Sequence, residues 1–192
     1  MSFKLALIGA GSTGFTQKII SDLLTVPDFS NIELTLMDIS KDNLDMVYQL
    51  VERDIKHNQC DQVKLTKTTD QREAVKDALY VINVARVGGL EAFQLDVDIP
   101  LKYGIDQCVG DTLCAGGIMY GQRGIPMILD LCRDIREVAE PDCMLLNHGN
   151  PNAMLTWAAN HYGGVYTIGL CHGVQGGHRL IAEVLGVPKE EL

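Results

Sequence analysis

The chain of 192 residues carries 16 Lys and Arg against 25 Asp and Glu, a net charge of −9. With 46% hydrophobic and 21% charged residues it is too apolar for a disordered chain, and it has no collagen-like repeat. An acidic surface repels phosphate backbones and anionic headgroups, and no run of cations offsets it, so nucleic acid and membrane surfaces are excluded as expected partners.

No apolar run approaches the roughly 20 residues that span a bilayer. The apolar start Leu5-Ala6-Leu7-Ile8-Gly9 is broken by glycines instead of leading to a cleavage site, so a cytoplasmic protein is expected. Six cysteines, Cys60, Cys108, Cys114, Cys132, Cys143 and Cys171, form no CxxC pair and read as reduced thiols, most of them core fillers.

Short β-rich runs alternate with segments of helical period, the pattern of a parallel sheet covered on both faces by crossover helices. Strands are expected near Phe3–Gly9, Glu33–Asp38, Val63–Thr69, Tyr80–Ala85, Cys143–Asn147 and Tyr166–Cys171, most of them apolar on both faces. Phe15, Ile19, Ile20, Leu23 and Leu24 place a helix over Thr13–Leu24, and Leu44, Val47, Val51 and Ile55 place one over Asn43–Ile55, with Ser40 and Asp42 as caps. Val87–Gly117 reads as a long glycine-marked stretch enclosing a short helix, and loops of that length are usually functional. A helix is then expected over Ile118–Val138, and a final one near His178–Leu185. No repeat or linker interrupts the pattern, so residues 1–192 are expected to form one doubly wound α/β domain of Rossmann type.

Gly9-Ala10-Gly11-Ser12-Thr13-Gly14 is a G-x-G-x-x-G turn between the first strand and the first helix. Such a turn exposes backbone N–H groups and a helix N-terminus to a pyrophosphate, with Gly9, Gly11, Ser12, Thr13 and Gly14 at the contact. Asp38 ends the second strand, where a carboxylate accepts from ribose hydroxyls and repels a 2′-phosphate, so NAD is favoured over NADP. The bland alternative is a tight turn with Asp38 capping the next helix.

Substrate is then expected beyond the carboxyl ends of the strands, where Ala85–Gly89, Gly110–Gly117, Asn147–Asn152 and Cys171–Gly176 lie. Cys171-His172 precedes a glycine-rich turn and offers a thiolate and an imidazole, either as metal donors or as a core cysteine beside a polar histidine. Asn150-Pro151 aims an amide outward or starts a helix, with Asn150 as cap. The turn at Gly110-Asp111-Thr112 suits a hydroxyl-rich or anionic ligand, whereas Arg123 on the following helix reads first as a solvated charge. His57, His161 and His178 have no motif around them and read as surface histidines.

Taken together, these blocks resemble glycoside hydrolase family 4, the NAD- and metal-dependent glycosidases. The resemblance rests on Ile8–Thr13, Leu36–Ile39, Tyr80–Asn83 with Val87–Gly89, Gly110–Leu113 with Gly116–Ile118, Arg123 with Ile125-Pro126, Leu146-Asn147 with Asn150-Pro151, and Gly169–His172 with Val174–Gly176. It covers nearly the whole chain, and the last block is most similar to the α-galactosidase branch.

The resemblance implies an α-glycoside substrate and a recycled NAD, with Mn²⁺ or another divalent metal. Sugar C3 is oxidised, the C1–O bond is lost by elimination after C2 deprotonation, water adds, and the sugar is reduced again. It further implies that Cys171 binds the metal, that Asn150, Arg123 and Asp111 hold the sugar, that Asn83 lies by the cofactor, and that His172 acts as acid-base or contacts substrate. Tyr120 stands where the α-galactosidase branch has arginine, Cys114-Ala115 replaces Gly-Pro, and Gly173 replaces a serine. Gly121 and Leu180–Glu183 are similar to the α-galacturonidase branch, so an α-galacturonidase stays an alternative, as does an α-glucosidase or a phospho-glycosidase. An NAD-dependent dehydrogenase or a non-catalytic NAD-binding module is the alternative outside the family. Relatives continue into a second region that supplies a further metal ligand, the C2 base and most of a dimer surface. The chain is therefore expected to be the N-terminal, NAD-binding part of a longer homo-oligomeric enzyme.

Overall fold

The computed structural model describes residues 2–107, 109–171 and 173–191. Six strands, β1 (Lys4–Ile8), β2 (Glu33–Met37), β3 (Lys64–Thr68), β4 (Tyr80–Asn83), β5 (Met144–Asn147) and β6 (Thr167–Gly169), form one sheet in the order β3-β2-β1-β4-β5-β6. All five pairings are parallel. This is the doubly wound order, in which the sequence of strand addition across the sheet reverses between β1 and β4.

Alternation along the central strands splits the core in two. Leu5 and Leu7 of β1 join Leu34, Leu36, Leu44, Val47 and Val51 on the face covered by α1 (Thr13–Leu24) and α2 (Lys41–His57). Ala6 and Ile8 join Val81, Leu145, Ile128, Leu131 and Leu155 on the other face, under α3 (Gln71–Val75), α5 (Cys114–Val138) and α6 (Asn152–Ala158). A one-residue slip of β1 would exchange these two sets, so packing holds the register. The edge strand β3 is polar on its outer side, with Lys64, Thr66 and Lys67 exposed, which blunts it against pairing with other chains.

Several boundaries depart from the sequence expectations. The stretch after β4 is largely helical: α4 runs over Gly89–Leu101, and α5 already starts at Cys114. Pro100 ends α4 within its last turn, and Pro126 sits inside α5. The glycine-rich segment after Cys171 is no turn. It opens α7 (Gly173–Leu185), a helix of which Ala182 is the one buried residue described. Ser40 caps α2 by accepting from Asn43 N, as expected, whereas α6 is capped by Pro151 and leaves Asn150 outside the helix. His57, His161 and His178 are exposed. Among the described cysteines Cys132 and Cys143 are buried, Cys60 is half-buried, and Cys114 and Cys171 are exposed, so the core-filler reading holds for only part of the set. No helix among the described residues is long and apolar enough to cross a membrane.

Candidate active site

At the switch between β1 and β4 the chain leaves β1 through Gly9, whose φ is +84°. Gly9 N and Ala10 N both donate to Met37 O at 2.9 Å, which holds the turn against the end of β2. A Cβ on Gly9 would lie 2.5 Å from Ala85 Cα, and one on Gly11 would lie 2.7 Å from Asp38 Oδ2, so backbone and carboxylate approach only because both are glycines. Asp38 accepts from Gly11 N at 2.7 Å and from Ser40 N at 2.8 Å. Its carboxylate is thereby fixed at the tip of β2 beside the turn.

Thr16 Oγ1, fully buried, donates to Ala10 O at 2.8 Å and locks α1 to the turn. The α1 N-terminus that results carries no acid in its first turn and no side-chain cap bond, and Ser12, Thr13 and Gly14 are exposed. Unsatisfied N–H groups and the positive end of the helix dipole therefore face outward, the arrangement that receives a pyrophosphate. These residues fit a dinucleotide.

A cleft of about 1210 Å³ opens beyond the strand ends and is lined by Gly9, Gly11, Ser12 and Asp38 together with Asp111, Asn150 and Cys171. Asp111 is its polar focus. Its Oδ2 accepts from Asn150 Nδ2 at 3.0 Å and from Arg86 Nη2 at 3.4 Å, and its Oδ1 accepts from Thr112 Oγ1 at 3.1 Å. The Arg86 guanidinium lies 5.0 Å from the Phe93 ring centre and 5.2 Å from that of Tyr120, so two aromatic rings steer it onto Asp111. Phe15 and His148 also line the cleft and meet edge to face, 6.3 Å between ring centres.

Arg123 is placed differently from its expected role. It grips Asp96, which is 2% exposed, through two bonds of 2.8 and 2.5 Å. It does not line the cleft, because Asp96 turns it inward between α4 and α5. The Asp96 carboxylate raises the Arg123 pKa further above its ordinary value. Tyr120, buried next to both arginines, has its phenol pKa raised, chiefly by loss of solvent. Asn83 is likewise not a cleft residue: it is fully buried, donates to Asn147 Oδ1 at 2.8 Å and accepts from Ala85 N at 3.2 Å. Its amide is consumed below the cleft floor.

Cys171 follows β6 instead of lying in it, so strand alternation does not decide where its thiol points. It is exposed, lines the cleft and accepts from Gly173 N at 3.4 Å. His172, the expected acid-base residue, lies outside the described residues. Among the described residues no group of three or more His, Cys, Asp or Glu side chains is arranged to hold a metal. Cys171 offers one soft donor and the described residues do not complete a shell around it.

Sequence reasoning missed Arg86, its aromatic support Phe93 and the carboxylate Asp96, and singled out Tyr120 only as a departure from the α-galactosidase branch. Arg86 had a signal, being the one Lys or Arg within the four loops that follow the strand ends. Asp96 had none, since nothing local separates it from a solvated helix charge.

A family model described as Family 4 glycosyl hydrolase matches residues 4–187. An α-galactosidase of Rhizobium meliloti (strain 1021) is 56% identical over 191 residues, covering 100% of this chain and 39% of that protein. An α-galactosidase of Bacillus subtilis (strain 168) is 37% identical, covering 90% and 40%. The 6-phospho-beta glucosidase from Thermotoga maritima, solved with manganese, NAD+ and glucose-6-phosphate, superposes with a TM-score of 0.83 at 29% identity, covering 98% of this chain and 44% of that one. The chain thus spans about two fifths of the length of these relatives. The glycine turn, the Asp38 tip and the Asp111–Asn150 pair all fall within the matched residues, and the chain belongs to the family 4 glycosyl hydrolases.

Proposed function

We propose that residues 1–192 are the NAD-binding portion of an NAD- and divalent-metal-dependent glycosidase that cleaves α-galactosides in the cytoplasm. The observation that carries this is the single cleft onto which the dinucleotide turn, the Asp111–Asn150 pair and the Cys171 thiol all open. The two α-galactosidase relatives support the choice of sugar, and the five described cysteines, all free thiols, support a reducing compartment.

In this reading the Gly9–Gly14 turn and the α1 N-terminus bind the pyrophosphate, and Asp38 accepts from the adenosine ribose. Asp111 and Asn150 hold sugar hydroxyls, one as acceptor and one through its amide, which places the ring against the cofactor. Arg86 keeps the Asp111 carboxylate oriented. Cys171 contributes one donor to the metal. When bound, NAD⁺ supplies transient oxidation of the sugar, which makes the neighbouring C–H acidic enough for elimination.

The test incubates the protein encoded by the complete reading frame with NAD⁺, Mn²⁺, a thiol reductant and a panel of nitrophenyl α-glycosides in D₂O. Cleavage of the α-galactoside with deuterium gained at C2 is expected, and Cys171→Ser should lose most turnover while retaining NAD. Net accumulation of NADH would replace the reading with a dehydrogenase. NAD binding without any turnover would replace it with a binding module.

A further inference from the structure

The buried amide of Asn147 is not used by the site described above, yet its hydrogen bonds reach three of the loops that build it. Asn147 is the last residue of β5 and is fully buried. Its Oδ1 accepts from Asn83 Nδ2 at 2.8 Å and from Gly149 N at 3.1 Å. Its Nδ2 donates to Gly149 O at 3.1 Å and to Thr156 Oγ1 at 3.3 Å. Its backbone carbonyl accepts from Leu170 N at 2.9 Å and from Asn152 Nδ2 at 2.8 Å, and Asn152 Nδ2 also reaches Leu170 O at 3.2 Å.

These bonds join the end of β4, the Gly149-Asn150 turn and the residue before Cys171 through one side chain and its own carbonyl. A carboxamide alone can do this at Asn147, because Oδ1 must accept from two donors while Nδ2 gives to acceptors. A shape-matched carboxylate would set oxygen against oxygen at Gly149 O, while the Thr156 hydroxyl can turn to donate. We propose that Asn147, with Asn83 and Asn152, is a positioning residue that sets Asn150 and Cys171 at a fixed relation to each other across the cleft. Its own bonds act chiefly on the sugar side, since the hydrogen bonds that hold Gly9, Ala10 and Asp38 run between β1, β2 and the glycine turn and do not involve it.

The inference rests on the glycosidase reading for its kinetic arm, and a second arm stands apart from turnover. In the protein from the complete reading frame, Asn147→Asp should lower kcat at least 100-fold and raise KM for the α-galactoside about tenfold, with NAD affinity within twofold of wild type. Asn152→Ala, which removes one tether and leaves the Asn147 amide in place, should produce a smaller change of the same kind. Amide hydrogen exchange at Gly149 and Leu170 should speed up more than tenfold in Asn147→Asp, with Gly11 unchanged. A variant whose exchange at Gly149 and Leu170 matches wild type overturns the proposal, as does one whose NAD affinity falls in step with kcat. Should wild type show no glycoside cleavage while the exchange pattern is as expected, the glycosidase reading fails and the positioning role stands.

Discussion

Asn150 Nδ2 and Asp111 Oδ2 meet at 3.0 Å although 39 residues of chain separate them. The contact joins the β5 exit to the entry of α5 and makes Asp111 the residue on which Asn150, Arg86 and Thr112 converge. Replacing Asp111 by alanine leaves an amide and a guanidinium without their common acceptor. Losing such a charged hydrogen bond is worth about 1.5–3 kcal/mol, so KM for the glycoside should rise roughly 10- to 100-fold. Steady-state kinetics alongside an NAD titration checks this, with NAD affinity expected to hold.

Asp38 faces the other part of the cleft. Asp38→Ala should weaken NAD binding by about 1–3 kcal/mol, because ribose hydroxyls and the Gly11 N–H both lose an acceptor. Gly11→Ala should act through the same carboxylate, since the added Cβ would collide with it at 2.7 Å. Calorimetric titration of both variants gives the comparison.

The Asp96–Arg123 pair is a stability element. With Asp96 at 2% exposure, Arg123→Met strands a buried carboxylate and should cost about 3 kcal/mol, measured as a lower urea midpoint at unchanged m-value. Replacing Asp96 and Arg123 together by apolar residues should recover much of that loss, whereas neither change should alter NAD affinity.

Burial pushes the Cys132 thiol up to about 11 and the Cys143 thiol up to about 12. In the unfolded chain both ionise near pH 9, so above that pH the unfolded state holds fewer protons and is favoured. Stability should therefore be flat below pH 8 and fall by about 2 kcal/mol between pH 9 and 10. Urea unfolding across this range, compared with the Cys132→Ala/Cys143→Ala variant, tests the sign. In the same experiment, alkylation near neutral pH should label exposed Cys171 and Cys114 well before the two buried thiols.

The chain's own pattern was sufficient for the sheet, the glycine turn after β1 and the limits of α1, because period, glycine spacing and the acid at position 38 are all local signals. It was insufficient where helices are held by tertiary contacts. The segment holding α4 contains glycines and a proline that mark breaks when read alone, yet packing of α4 against α5 and the buried Asp96–Arg123 pair make most of it helical. The first residues of α7 are exposed, and their glycines mark a turn when read alone.

Sequence by itself determined the fold class and the glycine turn with Asp38 beside it, since each depends on residues close along the chain. Only the tertiary structure decided which polar side chains face the cleft. Asn83 and Arg123 turn away into buried amide and carboxylate partners, while Arg86, gripped by Phe93 and Tyr120, turns in to Asp111. A buried polar group must find its partner wherever the fold places one, and for Asn83 and for the Asp96–Arg123 pair the partners lie 64 and 27 residues apart.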